Sequence, residues 1–234
     1  MAELELLDDD GWTRGLAIVA HPDDLEYGAA SAIARWTSEG KRFAYVLVTS
    51  GEAGLAIPPE EAGPLREAEQ RASAAAVGVD DVAFLGYPDG VVEYGLPLRR
   101  DLAREIRRHR PEVVVSINRH DSWGGPSFNM ADHRNVGLAV LDAVRDAANP
   151  WIFRDLDEEA WDGVRMVLFG NDPDGKHAVD VTGFLDRGVE SLRQHAAYLE
   201  HVGTDPDAML RQWAEDAGRR AGVEHAVVFE LLQP

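Results

Sequence analysis

A chain of 234 residues can bury a sizeable core, and 45% hydrophobic with 28% charged residues is the composition of a folded protein, not a disordered one. Forty-two acidic against 23 basic side chains leave a formal charge of −19, which repels phosphate backbones and sets nucleic acid aside as a partner. The absence of cysteine excludes disulfides and thiolate sites, so any metal must be held by His, Asp or Glu.

Residues 1–10 are acidic and lack the basic start and apolar run of a signal peptide, and no apolar stretch reaches the length of a membrane span. A cytoplasmic protein without membrane insertion is expected. Residues 16–20, Leu-Ala-Ile-Val-Ala, form an unbroken apolar run ending in a polar cluster, the pattern of a strand buried on both faces. A helix over 29–36, a strand over 43–48 and an irregular stretch over 51–59 follow. Next come a helix over 59–77, a strand over 82–85, a helix over 98–110 and a strand over 113–117. The Gly- and Pro-bearing stretch 118–131 reads as a long loop, of the kind that borders functional sites. A helix over 135–147, a strand over 164–169, helices over 184–201 and 206–221 and a last strand over 226–232 complete the pattern. This alternation predicts an α/β, Rossmann-like three-layer sandwich with a mostly parallel sheet, a single domain over 1–234 compatible with a homo-oligomer.

The strongest local signal is Ala20-His21-Pro22-Asp23-Asp24-Leu25-Glu26, where the first apolar strand gives way to a helix. That is the carboxyl edge of an open sheet, where ligands bind. His21 and Asp24 stand three apart, so a turn entering a helix aims both at one point, with Asp23 as a spare carboxylate. Taken singly, the aspartates could be favourable charges at a helix N-terminus and His21 a turn residue. A catalytic zinc takes three protein ligands and keeps a position for water, which calls for another ligand from a second loop. Asp132-His133 supplies it, opening a helix after the fourth strand as the first motif does after the first. If those two strands are neighbours, the loops converge. Asp132 reads as a helix cap that can also orient His133. A neighbouring carboxylate, Asp23, suits the general base that takes a proton as water attacks.

With Thr-Ser-Gly-Glu at 49–52 and Pro-Asp-Gly at 88–90 in the same order, the chain resembles the LmbE-like, or PIG-L, family of zinc-dependent N-deacetylases. The resemblance implies that His21, Asp24 and His133 bind Zn2+, that Asp23 is the general base, and that the substrate is a small N-acylated molecule, mostly an N-acetylated amino sugar or glycoside. It also places Glu52, Arg66 and Asp89 near the substrate, whereas i,i+3 and i,i+4 pairing accounts for Arg66 and Glu69 as helix-surface charges. His195 matches a histidine of the family's late helix. The family's second motif commonly reads His, any residue, Asp, His, and this chain has Met130 in place of the first His. His120, just past the fourth strand, is the candidate substitute for oxyanion stabilisation or proton transfer. Trp123 and Phe128 could furnish an apolar wall.

Other readings share some of these residues. Two His and a carboxylate also hold Fe(II) in oxygenases, but strand-helix alternation and the spare Asp23 favour hydrolysis. A nucleotide site would want Gly-x-Gly-x-x-Gly after the first strand, not two aspartates. A metal-binding domain without catalysis, or a hydrolase of another amide or ester, fits the same motifs.

Overall fold

The computed structural model describes residues 3–203 and 205–234; Met1 and Ala2, the head of the acidic stretch expected to carry no signal peptide, lie outside the described residues, as does Thr204. The chain runs β1 (Glu5–Leu6), β2 (Arg14–Val19), α1 (Asp24–Gly28), α2 (Ala30–Ser38), β3 (Arg42–Leu47), α3 (Pro59–Ala76), β4 (Asp81–Phe84), α4 (Leu96–His109) and β5 (Val113–Ile117). It continues through α5 (Ala131–Ala148), β6 (Met166–Gly170), β7 (His177–Asp180), α6 (Leu185–Arg193), α7 (Ala196–Val202), α8 (Pro206–Ala221) and β8 (Ala226–Leu232). None of the described helices is long and apolar enough to cross a membrane.

All eight strands form one sheet in the order β1-β7-β8-β6-β5-β2-β3-β4. The run from β4 to β6 is parallel throughout, and β8 alone runs against its neighbours, pairing antiparallel with both β6 and β7. The expected α/β sandwich with a mostly parallel sheet is therefore the fold observed.

Alternation along the central strands sorts the apolar side chains into two layers. Leu16, Ile18 and Ala20 pack with Leu102 and Ile106 of α4 and Val136 and Val140 of α5. Ala17 and Val19 face the other way, into a cluster with Ile33 and Trp36 of α2 and Ala74 of α3. Burial on both faces explains why these strands read as continuous apolar runs. Each fully buried large aliphatic or aromatic side chain contributes roughly 1.5–3 kcal/mol, so the two layers hold the sheet without help from the polar groups at its rim.

β2 pairs with β3 on one side and β5 on the other, through Gly15↔Val113 to Ala17↔Val115. The chain first winds outward through β3 and β4, then returns to β5 on the far side of β2. The loops leaving β2 and β5 thus part above the sheet and leave a crevice, the place where open α/β sheets bind ligands.

Three elements go beyond the sequence expectation. β1 and β7 have two and four residues, and α1 has five, too few to show a period. The helix expected over 184–201 is broken into α6 and α7 around Gln194 and His195, because the His195 side chain turns fully inside the protein.

A candidate metal centre

The turn after β2 carries its ligands by an unusual backbone. Asp23 adopts φ 85°, a left-handed conformation costly for a residue with a Cβ, and caps α1 from there. Pro22 thus precedes the helix, and the reversal brings the Asp24 carboxylate back beneath His21, whose N–H donates to Asp24 Oδ2 at 2.8 Å. His133, in the first turn of α5, enters from across the crevice.

Three side chains meet there. His21 Nδ1 lies 3.1 Å from His133 Nε2, His133 Nε2 lies 2.9 Å from Asp24 Oδ1, and His21 Nδ1 lies 3.6 Å from Asp24 Oδ2. Metal–ligand bonds of about 2.0–2.1 Å in a tetrahedron require ligand separations of roughly 3.3 Å, which this triangle matches.

The outer partners fix which ring nitrogens carry protons. His21 Nε2 faces Asp89 Oδ1 at 3.0 Å and Asp132 Oδ2 at 3.3 Å, so it is a donor and Nδ1 presents a lone pair to the centre. Asn129 uses its amide N–H groups on the carbonyls of Asn118 and His120, at 2.8 and 2.9 Å, leaving its oxygen for His133 Nδ1 at 2.9 Å. His133 Nε2 therefore also presents a lone pair. With those two nitrogens deprotonated, two lone pairs and a carboxylate converge, and that donor set fits a divalent cation.

Electrostatics agree. Burial works against a charge on His21, yet Asp24, Asp132 and Asp89 together raise its pKa well above the usual imidazole value. Burial likewise opposes ionisation of Asp24, but His133 and His21 hold its carboxyl far below the ordinary range. The two shifts are reciprocal: the carboxylates favour positive charge on His21, and the imidazoles favour negative charge on Asp24. Asp23 differs: burial pushes it up to about 7 against the pull of Arg66, and the charge of Asp24 adds to the rise.

The three residues expected near substrate lie behind the ligands instead. Arg66, fully buried in α3, donates to Asp23 Oδ2 at 3.1 Å, Pro22 O at 2.7 Å and Gly51 O at 3.2 Å. Gly51 is required for this approach: it sits at φ 63°, and a Cβ there would stand 2.5 Å from Arg66 Nη1. Asp89 accepts from Ala53 N at 2.8 Å while holding His21, and Glu52 in turn accepts from Asp89 N at 2.9 Å. None of the three lines the cleft over the centre. The helix-surface account of Arg66 and Glu69 also gives way, since Glu69 is buried and accepts from Ala197 N at 2.6 Å. Asp132 orients His21 and accepts from Gly90 N and Val92 N at 2.8 and 3.1 Å, while the orientation of His133 falls to Asn129.

His120 faces Asp172 at 3.3 Å and Asp174 at 3.7 Å and is not part of the converging triangle. Met130 lines the cleft. His195 lies wholly buried with Nε2 3.8 Å from Glu26 Oε2. Glu26 accepts from Gln70 Nε2 at 3.0 Å and Ser73 Oγ at 2.6 Å, and Gln70 Oε1 accepts from Asp23 N at 3.0 Å. No motif points to Asn129 or Gln70, or to Tyr198 as a wall of the cleft. Only Asn129 left a trace, four residues before His133 on the approach to α5.

A cleft of about 740 Å3 opens over the centre, lined by Asp23, Asp24 and His133 at its base and by Trp123, Tyr198 and Trp213 among its walls.

A family model described as PIG-L, GlcNAc-PI de-N-acetylase, matches residues 16–144. The chain is 27% identical over 220 residues to a diacetylchitobiose deacetylase of Thermococcus kodakarensis, covering 90% of this chain and 80% of that protein. It is 31% identical over 261 residues to a 1D-myo-inositol 2-acetamido-2-deoxy-alpha-D-glucopyranoside deacetylase of Streptomyces scabiei, covering 94% of this chain and 78% of that one. Among solved structures, N,N'-diacetylchitobiose deacetylase from Pyrococcus horikoshii superposes with a TM-score of 0.84 at 22% identity, over 95% of this chain and 84% of that one, a likeness of fold.

Proposed function

The chain belongs to the PIG-L family of de-N-acetylases, and from that premise we propose that it is a hydrolase, acting as one domain, that removes the N-acetyl group of an amino sugar or its glycoside. His21, Asp24 and His133 would hold zinc, and Asp23 would be the general base. The observation that supports this best is the convergence of His21 Nδ1, His133 Nε2 and the Asp24 carboxylate at separations a tetrahedral cation needs. The deacetylase names of the relatives in Thermococcus and Streptomyces supply the reaction class.

A zinc ion at this centre would lower the pKa of a bound water toward ~7, polarise the acyl oxygen and carry its developing charge. The chain's own residues supply the rest. Asp23 accepts the proton of the attacking water at its carboxylate, of which Oδ2 is held by Arg66. A pKa raised to about 7 by burial suits both halves of the task, taking the proton and returning it to the leaving amine near neutral pH. Asp89 and Asp132 fix the tautomer of His21, Asn129 fixes that of His133, and Glu52 braces Asp89. On this reading Glu52, Arg66 and Asp89 act on substrate only through His21 and Asp23. His120 would reach the acyl oxygen only by leaving Asp172.

The test is zinc content and acetate release across a panel of N-acetyl glycosides, for wild type and Asp23→Asn. Both proteins should retain zinc, with turnover falling about 10²–10⁴-fold in the variant. Undiminished turnover removes Asp23 from its role. No release by wild type from any glycoside would favour a metal-binding domain without catalysis.

A further inference from the structure

Resting on the deacetylase reading, we propose that the substrate is an uncharged glycoside of an N-acetylated amino sugar whose aglycone presents a flat apolar face, an aryl group above all. The cleft is in the size class that takes ligands larger than one sugar ring. Its aromatic surface comes from four separate elements: Tyr27 from α1, Trp123 from the loop after β5, Tyr198 from α7 and Trp213 from α8, with Ile117, Met130 and Pro173 adding apolar wall. Trp123 and Trp213 remain 39% and 47% exposed, although neither indole is needed to fill the core. Trp123 stands edge-on to the His133 ring at 5.5 Å, so the apolar wall begins beside a ligand of the centre. Flat aromatic surface of this kind is what an aromatic ring packs against by offset or edge-to-face contact.

Charge decides what the aglycone cannot be. Asp23, Asp24 and Asp172 line the cleft, and among the described lining residues there is no Lys or Arg. The guanidinium groups nearest to it are committed elsewhere. Arg66 is paired with Asp23 and stacked 4.5 Å over the Tyr198 ring, and Arg119 is paired with Asp172 and Glu230. A carboxylate or phosphate on the aglycone would find neither of these cations free to receive it. The neutral polar groups of the lining are the side chains of Ser127 and Asn171, the hydroxyls of Tyr27 and Tyr198 and the two indole N–H groups, most of them carried on aromatic rings.

The experiment compares phenyl, methyl and carboxyalkyl glycosides of N-acetylglucosamine, with N,N'-diacetylchitobiose as the two-sugar arm. Zinc-loaded wild type gives kcat/KM from acetate release, and zinc-loaded Asp23→Asn gives Kd by calorimetry without turnover. The expected result is a phenyl glycoside favoured over methyl at least tenfold in both quantities, chitobiose between them, and the carboxyalkyl glycoside at least tenfold below methyl. Trp213→Ala should erase the phenyl-to-methyl ratio and Trp213→Phe restore most of it. Equal phenyl and methyl values, a preferred chitobiose or a preferred carboxyalkyl glycoside overturns the proposal while leaving deacetylation in place. Phenyl-selective binding with no acetate released from any glycoside does the reverse: it sinks the deacetylase reading and upholds the selectivity of the cleft.

Discussion

The backbone N–H of Asp23 donates to Gln70 Oε1 at 3.0 Å, tying a residue held at φ 85° to the middle of α3. A left-handed aspartate costs of order 1–3 kcal/mol and persists only where its surroundings over-determine it. Arg66 grips the side chain of the same residue from one turn earlier on α3. Gln70→Leu should therefore let the turn relax. We expect zinc content close to wild type, a lowered Tm because Asp23 N and Glu26 Oε1 each lose a buried partner, and kcat at least tenfold lower with KM little changed; an unaltered kcat would show that Arg66 alone suffices.

Removal of the metal should weaken the fold. Without a cation, two imidazoles and a carboxylate crowd together in a buried place with only a proton to bridge them. A ligand at a hundred times its Kd stabilises by about 2.7 kcal/mol, so zinc added to chelator-treated protein should raise Tm by several degrees. In His133→Ala the zinc-dependent rise should vanish, as read by calorimetric scans with and without zinc.

Arg107 in α4 serves stability alone. Buried, it donates to the carbonyls of Asp146, Ala147, Asn149, Ile152 and Phe153 at 2.9–3.3 Å, closing the end of α5 and the turn beyond it. Arg107→Met orphans these acceptors and should cost about 3 kcal/mol in urea unfolding, with acetate release per folded molecule unchanged.

Acid stability has a local component at Glu112. Partial burial opposes its charge, but donation from Thr13 N at 2.9 Å, Thr13 Oγ1 at 3.1 Å and Arg14 N at 3.1 Å holds its pKa below the ordinary carboxylate value. A depressed folded pKa means stability fully present above the unfolded value of ~4.3 and lost as pH falls through the folded one. Glu112→Gln should lower stability at neutral pH and flatten the acid limb, measured as urea midpoints from pH 7 to 3.

The sheet and the triangle were legible because both rest on patterns that chain order preserves. Residues 16–20 and 113–117 are apolar without interruption, and such runs belong to strands covered on both faces. Since those strands are neighbours, residues 21 and 133 had to converge. The shell behind them was not legible. Arg66 and Gln70 lie on a helix whose charges look like ordinary surface pairing, yet that face packs inward and carries the groups that hold Asp23. Asp89 and Glu52 were placed in the right neighbourhood and on the other side of His21, because sequence carries proximity along a motif but not the direction of a side chain. The division of 184–201 is hidden for the same reason, as nothing in its helical period signals that His195 is drawn beside Glu26.

The reversed strand has a consequence for how the molecule is made. β1 and β7 have only each other until β8 arrives between β7 and β6, and β8 is the last of the sheet to leave a ribosome. Strands β2 to β6 can pair while synthesis continues, whereas the outer three must wait for residues 226–232. A nascent chain stalled before residue 226 would therefore display a bare edge at β6, and in that interval a chaperone has most reason to attend it.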